Sequence, residues 1–317
     1  MTVSTRASTR SLLVVLPVYG NAELAIECLR SFAPEARGAS DRVIVVNDRG
    51  PESVQVDTAL RRELATYPDT FQLATNSENL GLVETLNAAL SSVDVENYDV
   101  AIVNSDILLI PGAIAEMRRI LRGDDTTGIV CPRSDNASIA SVPHLAGSSR
   151  TAASREFARW VTTQPESITV PTAVGFCMVV RGELFHQFGF FDTVFSPGYG
   201  EENDFSMRIR RGGWRVALAN RAFAFHVGRA SFGRDSAAEL QLRNEIVFRR
   251  RYPRYTFDRE MFLVNGTGSS RGSRLAIKSL ALGVAIVKTI VFAVLGLAPR
   301  NSARLVLAIR NAFHRPR

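Results

Sequence analysis

Four short apolar runs most constrain how this chain can fold. They are LLVVL at 12–16, RVIVV at 42–46, FQLAT at 71–75 and VAIVN at 100–104. Each is too short for a buried helix and is bounded by turn residues; LLVVL and RVIVV suit strands covered on both faces of a parallel sheet, and FQLAT and VAIVN read as the third and fourth strands. Between them, residues 21–33, 54–66 and 82–90 carry apolar side chains at helical spacing, and 112–122 follows the last run in the same way. Strand–helix alternation with short connections implies right-handed crossovers. The predicted fold class is therefore α/β, a Rossmann-like, mostly parallel sheet flanked by helices.

The carboxyl ends of the four runs share a second property. They lead into Pro17-Val18-Tyr19, Asn47-Asp48, Asn76 to Asn79 and Gly81, and Asn104-Ser105-Asp106. Ligands of open α/β sheets bind in the crevice outside those ends. Asn, Asp and Gly also make ordinary turns, but four such ends in series point to a nucleotide site. Neither GxGxxG nor GxxxxGK[ST] occurs, so no glycine loop cradles the phosphates. A metal ion is the natural substitute for neutralising a diphosphate.

Beyond residue 125 the reading is coarser. GIVCP at 128–132 is a strand, ASREFARW is helix-like, and VPTAVGFCMVVR at 170–181 is a strand. ELFHQFGFFD gives a short helix and turn, and VALANRAFAFHVG at 216–228 gives one or two strands reaching His226. Hydrophobic residues make up 46% and charged residues 22%, a globular composition. The net charge is +7, but nine Lys/Arg and no acid lie from residue 261 onward, leaving 29 basic against 31 acidic residues before them. A near-neutral body argues against nucleic acid. Three widely spaced cysteines form no Cys-x-x-Cys pair, which disfavours zinc and disulfide frameworks and suits a reducing cytoplasm. The apolar run after the Ser/Thr/Arg-rich start is too short for a secretory signal, so residues 1–10 are expected to be a disordered tail.

The stretch YGEENDFSMRIRRGGW at 199–214 crowds Glu201, Glu202 and Asp204 together. Acids in the first turn of a helix gain about 0.3–1 kcal/mol each from the helix dipole. That accounts for one acid but not for three side by side, whose mutual repulsion offsets the gain. A carboxylate with a pKa raised by burial or like-charge neighbours is a general base.

Taken in order, VVLPVYGN, VIVVNDRGPES, ENLGLVETLNAAL, DVAIVNSDILLIPGAI, VGFCMVVRGELFHQFGFFDTVF, GYGEENDFSMRIRRGGWRVAL and AFAFHVGRASF resemble family 2 glycosyltransferases of the GT-A fold over about residues 12–235. Within the family the chain looks closest to bacterial rhamnosyltransferase-like members that build cell-surface polysaccharides. The resemblance implies an inverting sugar transfer from a nucleotide diphosphate sugar to a glycan or lipid-linked saccharide. It places the nucleoside at Pro17, Val18, Tyr19, Asn47 and Asp48, where Asn47 stands for the family's usual Asp. Asn79 and Gly81 join the donor site. The family's Asp-x-Asp metal motif falls on Asn104-Ser105-Asp106, with one carboxylate replaced by an amide. Asp106 is then the Mg2+ or Mn2+ ligand, joined by His226, while Arg229 meets the diphosphate. The family's catalytic Asp falls on Glu202, which makes Glu202 the base, Asp204 its rival and Glu201 a neighbour that orients or binds acceptor.

The expected organisation is a catalytic domain at 11–260, with a nucleotide half at 11–106 and an acceptor half at 107–260. A basic, apolar helical tail follows at 261–317. Residues 275–297 are long enough to span a bilayer, yet Lys288 near their middle costs about 2.5–3.5 kcal/mol there. Residues 270–317 are read as attaching the protein to the inner, cytoplasmic face of the cell membrane through anionic lipid. Spanning, lying flat and pairing two copies into a homodimer all fit this sequence. A noncatalytic nucleotide-sugar or glycan-binding protein, with Asn47 and Asn104 marking lost catalysis, is the alternative. A nucleotidyltransferase ranks lower, because the loop after the first strand has no basic residue.

Overall fold

The computed structural model describes residues 10–142, 145, 149–226 and 234–266, except the side chains of Ser138, 234–237 and 264–266. Of the expected tails at 1–10 and 261–317, residues 1–9 and 267–317 lie outside the described residues, as does Arg229, while 261–266 are helical. The chain divides into two compact units, residues 1–231 and 232–317.

The first unit begins with the predicted alternation. Its elements are β1 (Ser11–Val18), α1 (Ala22–Phe32), β2 (Arg42–Asn47), α2 (Ser53–Leu64), β3 (Phe71–Thr75), α3 (Leu82–Ser91) and β4 (Tyr98–Val103). Then follow β5 (Ile107–Leu109), α4 (Ala113–Gly123), β6 (Thr127–Ser134), α5 (Arg150–Trp160), β7 (Ser167–Thr169), β8 (Cys177–Arg181), α6 (Glu183–Phe188), α7 (Glu201–Arg211) and β9 (Arg215–His226). In the second unit, α8 (Arg234–Arg251) and α9 (Tyr255–Gly266) meet through the rings of Phe248 and Tyr255, whose centroids are 4.8 Å apart.

One sheet runs β3-β2-β1-β4-β8-β6-β9-β5, with β7 paired to β9. The strands β3, β2, β1 and β4 are mutually parallel. β8 lies antiparallel between β4 and β6, and β6 is parallel to β9. Leu12 to Leu16 are fully buried, as a strand covered on both faces requires.

Residues 170–176, predicted as strand, form a connection instead, and only Cys177–Arg181 is strand. Pro171 has no amide hydrogen for a ladder. The Phe176 carbonyl accepts from the Asn104 amide at 2.9 Å, which ties this connection to the end of β4.

Candidate functional site

The site is assembled where β4 ends. β5 pairs antiparallel with the end of β9, with Ile107 opposite His226. That register sets Asp106 beside the histidine, and Asp106 Oδ2 lies 3.4 Å from His226 Nε2. The ring is fixed on its other edge, where Nδ1 is 3.0 Å from the Asn136 carbonyl. With Nδ1–H donating there, Nε2 is the ring atom that faces Asp106: protonated, it donates to the carboxylate, and deprotonated, it offers a lone pair to a cation. The His226 amide donates to Asp135 Oδ1 at 2.9 Å, and the Phe176 ring stacks on the imidazole with centroids 5.2 Å apart. Burial lowers the His226 pKa, but the Asp106 carboxylate, the Asn136 carbonyl and the Asp135 charge together outweigh this and leave it above the ordinary value.

Asn104 lies two residues before Asp106, at the end of β4. Its side-chain Oδ1 is buried without a hydrogen-bond partner. An orphaned acceptor is costly, and here it follows the strand that delivers Asp106. A carboxylate, an imidazole nitrogen and an unsatisfied amide oxygen are suitable donors for Mg2+ or Mn2+, with water filling the remaining positions. The residues present therefore fit a divalent cation.

A cavity of about 270 Å³ opens beside Asp106, lined by Tyr19, Gly20, Asn21, Leu24, Pro51, Glu52, Ser105 and Asp106. Of the residues expected to hold the donor, Tyr19, Ser105 and Asp106 line it, and of those assigned to the nucleoside only Tyr19 does. Pro17 and Val18 lie inside β1 and are buried. Asn47 is buried and holds its own loop: its Nδ2 donates to the Ser53 carbonyl at 2.9 Å, and its Oδ1 accepts from the Arg49 amide at 3.2 Å. Asp48 is 4% exposed and accepts from the amides of Leu80 and Gly81, both at 2.9 Å, and from Asn76 Nδ2 at 2.8 Å. Asn79 Oδ1 also accepts from the Gly81 amide, at 3.0 Å.

The acid cluster forms the first turn of α7, as its spacing predicts. Its three carboxylates differ sharply in surroundings. Asp204 is fully buried and ion-paired with Arg208 Nε at 2.9 Å. The Arg208 guanidinium also donates to the carbonyls of Phe188, Gly189 and Phe190. Glu201 is 5% exposed, and its Oε2 has no hydrogen-bond partner. Burial, assisted by the charge of Glu202, pushes its pKa up to about 8. Glu202 is half-buried, and burial raises its pKa too. Its oxygens accept from the Gly200 amide at 3.2 Å and from Asn203 Nδ2 at 2.8 Å.

Gly175 and Phe176 bridge Glu202 to the Asp106–His226 pair. A Cβ at Gly175 would fall 3.0 Å from Glu202 Cγ, so the glycine lets this side chain lie against the backbone. The next residue stacks on His226 and bonds Asn104. Sequence reading missed Gly175, Phe176, Asp135 and Asn136. A glycine inside an apolar run is the one available signal of close approach; the other contacts depend on long-range packing.

A family model described as glycosyltransferase like family 2 matches residues 9–245. No curated protein sequence matches the chain. Among solved structures, one similar to it is mannosyltransferase PcManGT from Pyrobaculum calidifontis in complex with GDP-Man and Mn2+. The two are 17% identical with a TM-score of 0.56, over 95% of this chain and 79% of that one. Another is GalNAc-T7 with UDP, GalNAc and Mn2+, 12% identical with a TM-score of 0.58, over 79% of this chain and 52% of that one. This chain therefore spans about half the length of GalNAc-T7. At these identities the likeness concerns the fold.

Proposed function

The chain belongs to the glycosyltransferase like family 2, and from that premise we propose that it moves a sugar from a nucleoside diphosphate donor to an alcohol with inversion, using Glu202 as general base. The observation that carries this reading is the connection of Glu202, through Gly175 and Phe176, to the Asp106–His226 pair.

Asp106, His226 and Asn104 would hold Mg2+ or Mn2+, which when bound supplies Lewis-acid stabilisation to a departing diphosphate. Tyr19 and Ser105 flank the donor in the adjoining cavity. Glu202 accepts the acceptor's hydroxyl proton as that oxygen bonds the anomeric carbon. The bond from that carbon to the diphosphate breaks, and its electron pair leaves with the phosphate oxygen. Burial suits Glu202 to this work, because a carboxylate with a raised pKa is a stronger base. The neighbouring Asp204 is spent on Arg208, which favours Glu202 over its rival.

The finer reading is transfer of a hexose or deoxyhexose in cell-surface polysaccharide synthesis, supported by the rhamnosyltransferase-like resemblance. A lipid-linked acceptor fits the apolar, arginine-flanked sequence of 270–317, which in this reading seats the protein on the inner face of the cell membrane. Among the described residues no helix is long and apolar enough to cross a membrane.

A panel of sugar nucleotides with Mn2+ or Mg2+, assayed for released nucleoside diphosphate and glycoside product, tests the proposal. Metal-dependent turnover that is lost in Glu202→Gln is the expected result. Thermal stabilisation by a sugar nucleotide without any turnover would replace it with the binding-protein reading.

A further inference from the structure

The acid that the family resemblance assigns to the nucleoside has other work in this chain. Asp48 is 4% exposed, and its carboxylate takes three donors: the amides of Leu80 and Gly81 and the side chain of Asn76. Asn76 Nδ2 is also 2.8 Å from Thr85 Oγ1 on α3. All of these donors belong to the entry to α3, whose N-cap is Gly81 at φ 79°. An ionised acceptor bonded to backbone amides is among the stronger hydrogen-bonded arrangements. It therefore fixes where α3 starts.

The same turn is the seat of a second segment. A Cβ at Gly81 would lie 2.4 Å from Pro197 Cβ, and the Val83 amide faces the Pro197 carbonyl at 3.4 Å. Ser196 Oγ lies 3.1 Å from Glu84 Oε1. One turn further along α3, Asn87 exchanges two hydrogen bonds with the backbone of Phe191, at 2.8 and 3.0 Å. The segment 191–197 is thus laid along α3, and it runs on to Gly200, the N-cap of α7, where Glu201 and Glu202 begin.

We propose that Asp48 is a positioning residue: by holding the amides of Leu80 and Gly81 it seats the first turn of α3 under Pro197, and so sets the placement of Glu202. Nucleobase reading falls to other groups. The inference rests on Glu202 being the base, and it couples the donor-side loops to the proton acceptor through a backbone contact rather than through substrate. Only glycine fits at position 81, because any side chain there meets Pro197 and the backbone has positive φ.

Two variants of the full chain test it, Asp48→Asn and Gly81→Ala. The Asn amide group cannot accept from two backbone amides at both of its heavy atoms; the Ala methyl leaves Asp48 intact but pushes on Pro197. Three measurements are made on each: amide hydrogen exchange over 76–83 and 196–203, calorimetric affinity for UDP, GDP and dTDP, and the pH profile of kcat. In both variants exchange over 196–203 is expected to rise about tenfold, and kcat to fall about 100-fold. Affinity for the nucleoside diphosphate bound by the unaltered protein stays within about threefold. The acid limb of the kcat profile moves to lower pH as Glu202 loses its burial, a change that simple loss of folded protein does not produce.

Unaltered exchange over 196–203 with a tenfold or greater loss of nucleotide affinity in Asp48→Asn would overturn the proposal in favour of direct nucleobase reading. Unaltered exchange and kcat in Gly81→Ala would overturn it as well, and this variant decides the matter if Asp48→Asn does not fold. A chain that turns over no sugar nucleotide defeats the proposed function instead, while the exchange measurement still decides the coupling.

Discussion

Asp106 Oδ2 and His226 Nε2 lie 3.4 Å apart, brought together by the antiparallel pairing of β5 with the end of β9. Neither residue is near the other in sequence, and the pair depends on a three-residue strand. If these two side chains share a cation, Asp106→Ala and His226→Ala each weaken Mn2+ binding about 10- to 100-fold. Calorimetric titration of Mn2+ in the presence of UDP or GDP measures this. Unchanged affinity in both variants would remove the pair from the metal site.

Glu202→Gln keeps the shape of the side chain and removes its basicity. Transfer is expected to fall about 100- to 10,000-fold, with donor affinity nearly unaltered because Glu202 is placed on the acceptor's proton. Initial rates and donor titration separate the two quantities. Full activity in the variant would exclude Glu202 as the base.

Asp204→Asn is expected to act on stability. Its carboxylate is fully buried against Arg208, and removing one partner leaves the guanidinium charge unpaired beside three carbonyls. A loss of about 3 kcal/mol follows from breaking such a pair, read by urea unfolding. A variant that is inactive yet as stable as the parent would instead favour Asp204 as the base.

Glu201 gives a pH dependence. Its pKa rises from 4.5 to about 8 on folding, through burial and then the charge of Glu202. The folded chain therefore holds a proton that the unfolded chain releases. The stability linked to this group is fully present below pH 4.5 and is lost progressively as pH rises towards 8. Glu201→Gln carries no such proton, so its stability relative to the parent is expected to improve steadily between pH 5 and 8, read as the difference in unfolding midpoints. A constant difference across that range would contradict the assignment.

Gly50 tests the donor cavity. A Cβ there would fall 1.3 Å from the Tyr19 carbonyl oxygen, so Gly50→Ala must displace one of the two loops that line the cavity. Overpacking of this kind costs about 1–3 kcal/mol, and affinity for nucleoside diphosphate is expected to fall about tenfold or more by titration. Wild-type affinity would place the nucleotide elsewhere.

The alternating runs at 12–16, 42–46, 71–75 and 100–104 were legible because strand and helix periods are local properties, and each became β1 to β4 in parallel order. The acid cluster was legible as a helix start for the same reason. The connection 170–176 was not. Its apolar composition suits a strand, but its ladder bonds are replaced by contacts with Asn104 and with Val216, whose carbonyl accepts from the Val170 amide at 3.0 Å. Asp48 looked like a ligand-facing acid because strand-end acids often are, and nothing in its neighbourhood along the chain reveals that its partners are the amides of residues 80 and 81.

The order of residues thus determined the layered α/β architecture, the polar rim at the strand ends and the family to which the chain belongs. Tertiary structure alone decided the surroundings of each carboxylate: Asp106 beside His226, Asp204 on Arg208, Glu201 buried with an orphaned oxygen, and Asp48 clamped to α3. Periodicity and composition fix backbone state through interactions between near neighbours. A carboxylate's charge state and task depend on desolvation and on partners brought from distant parts of the chain, which only the packed fold supplies.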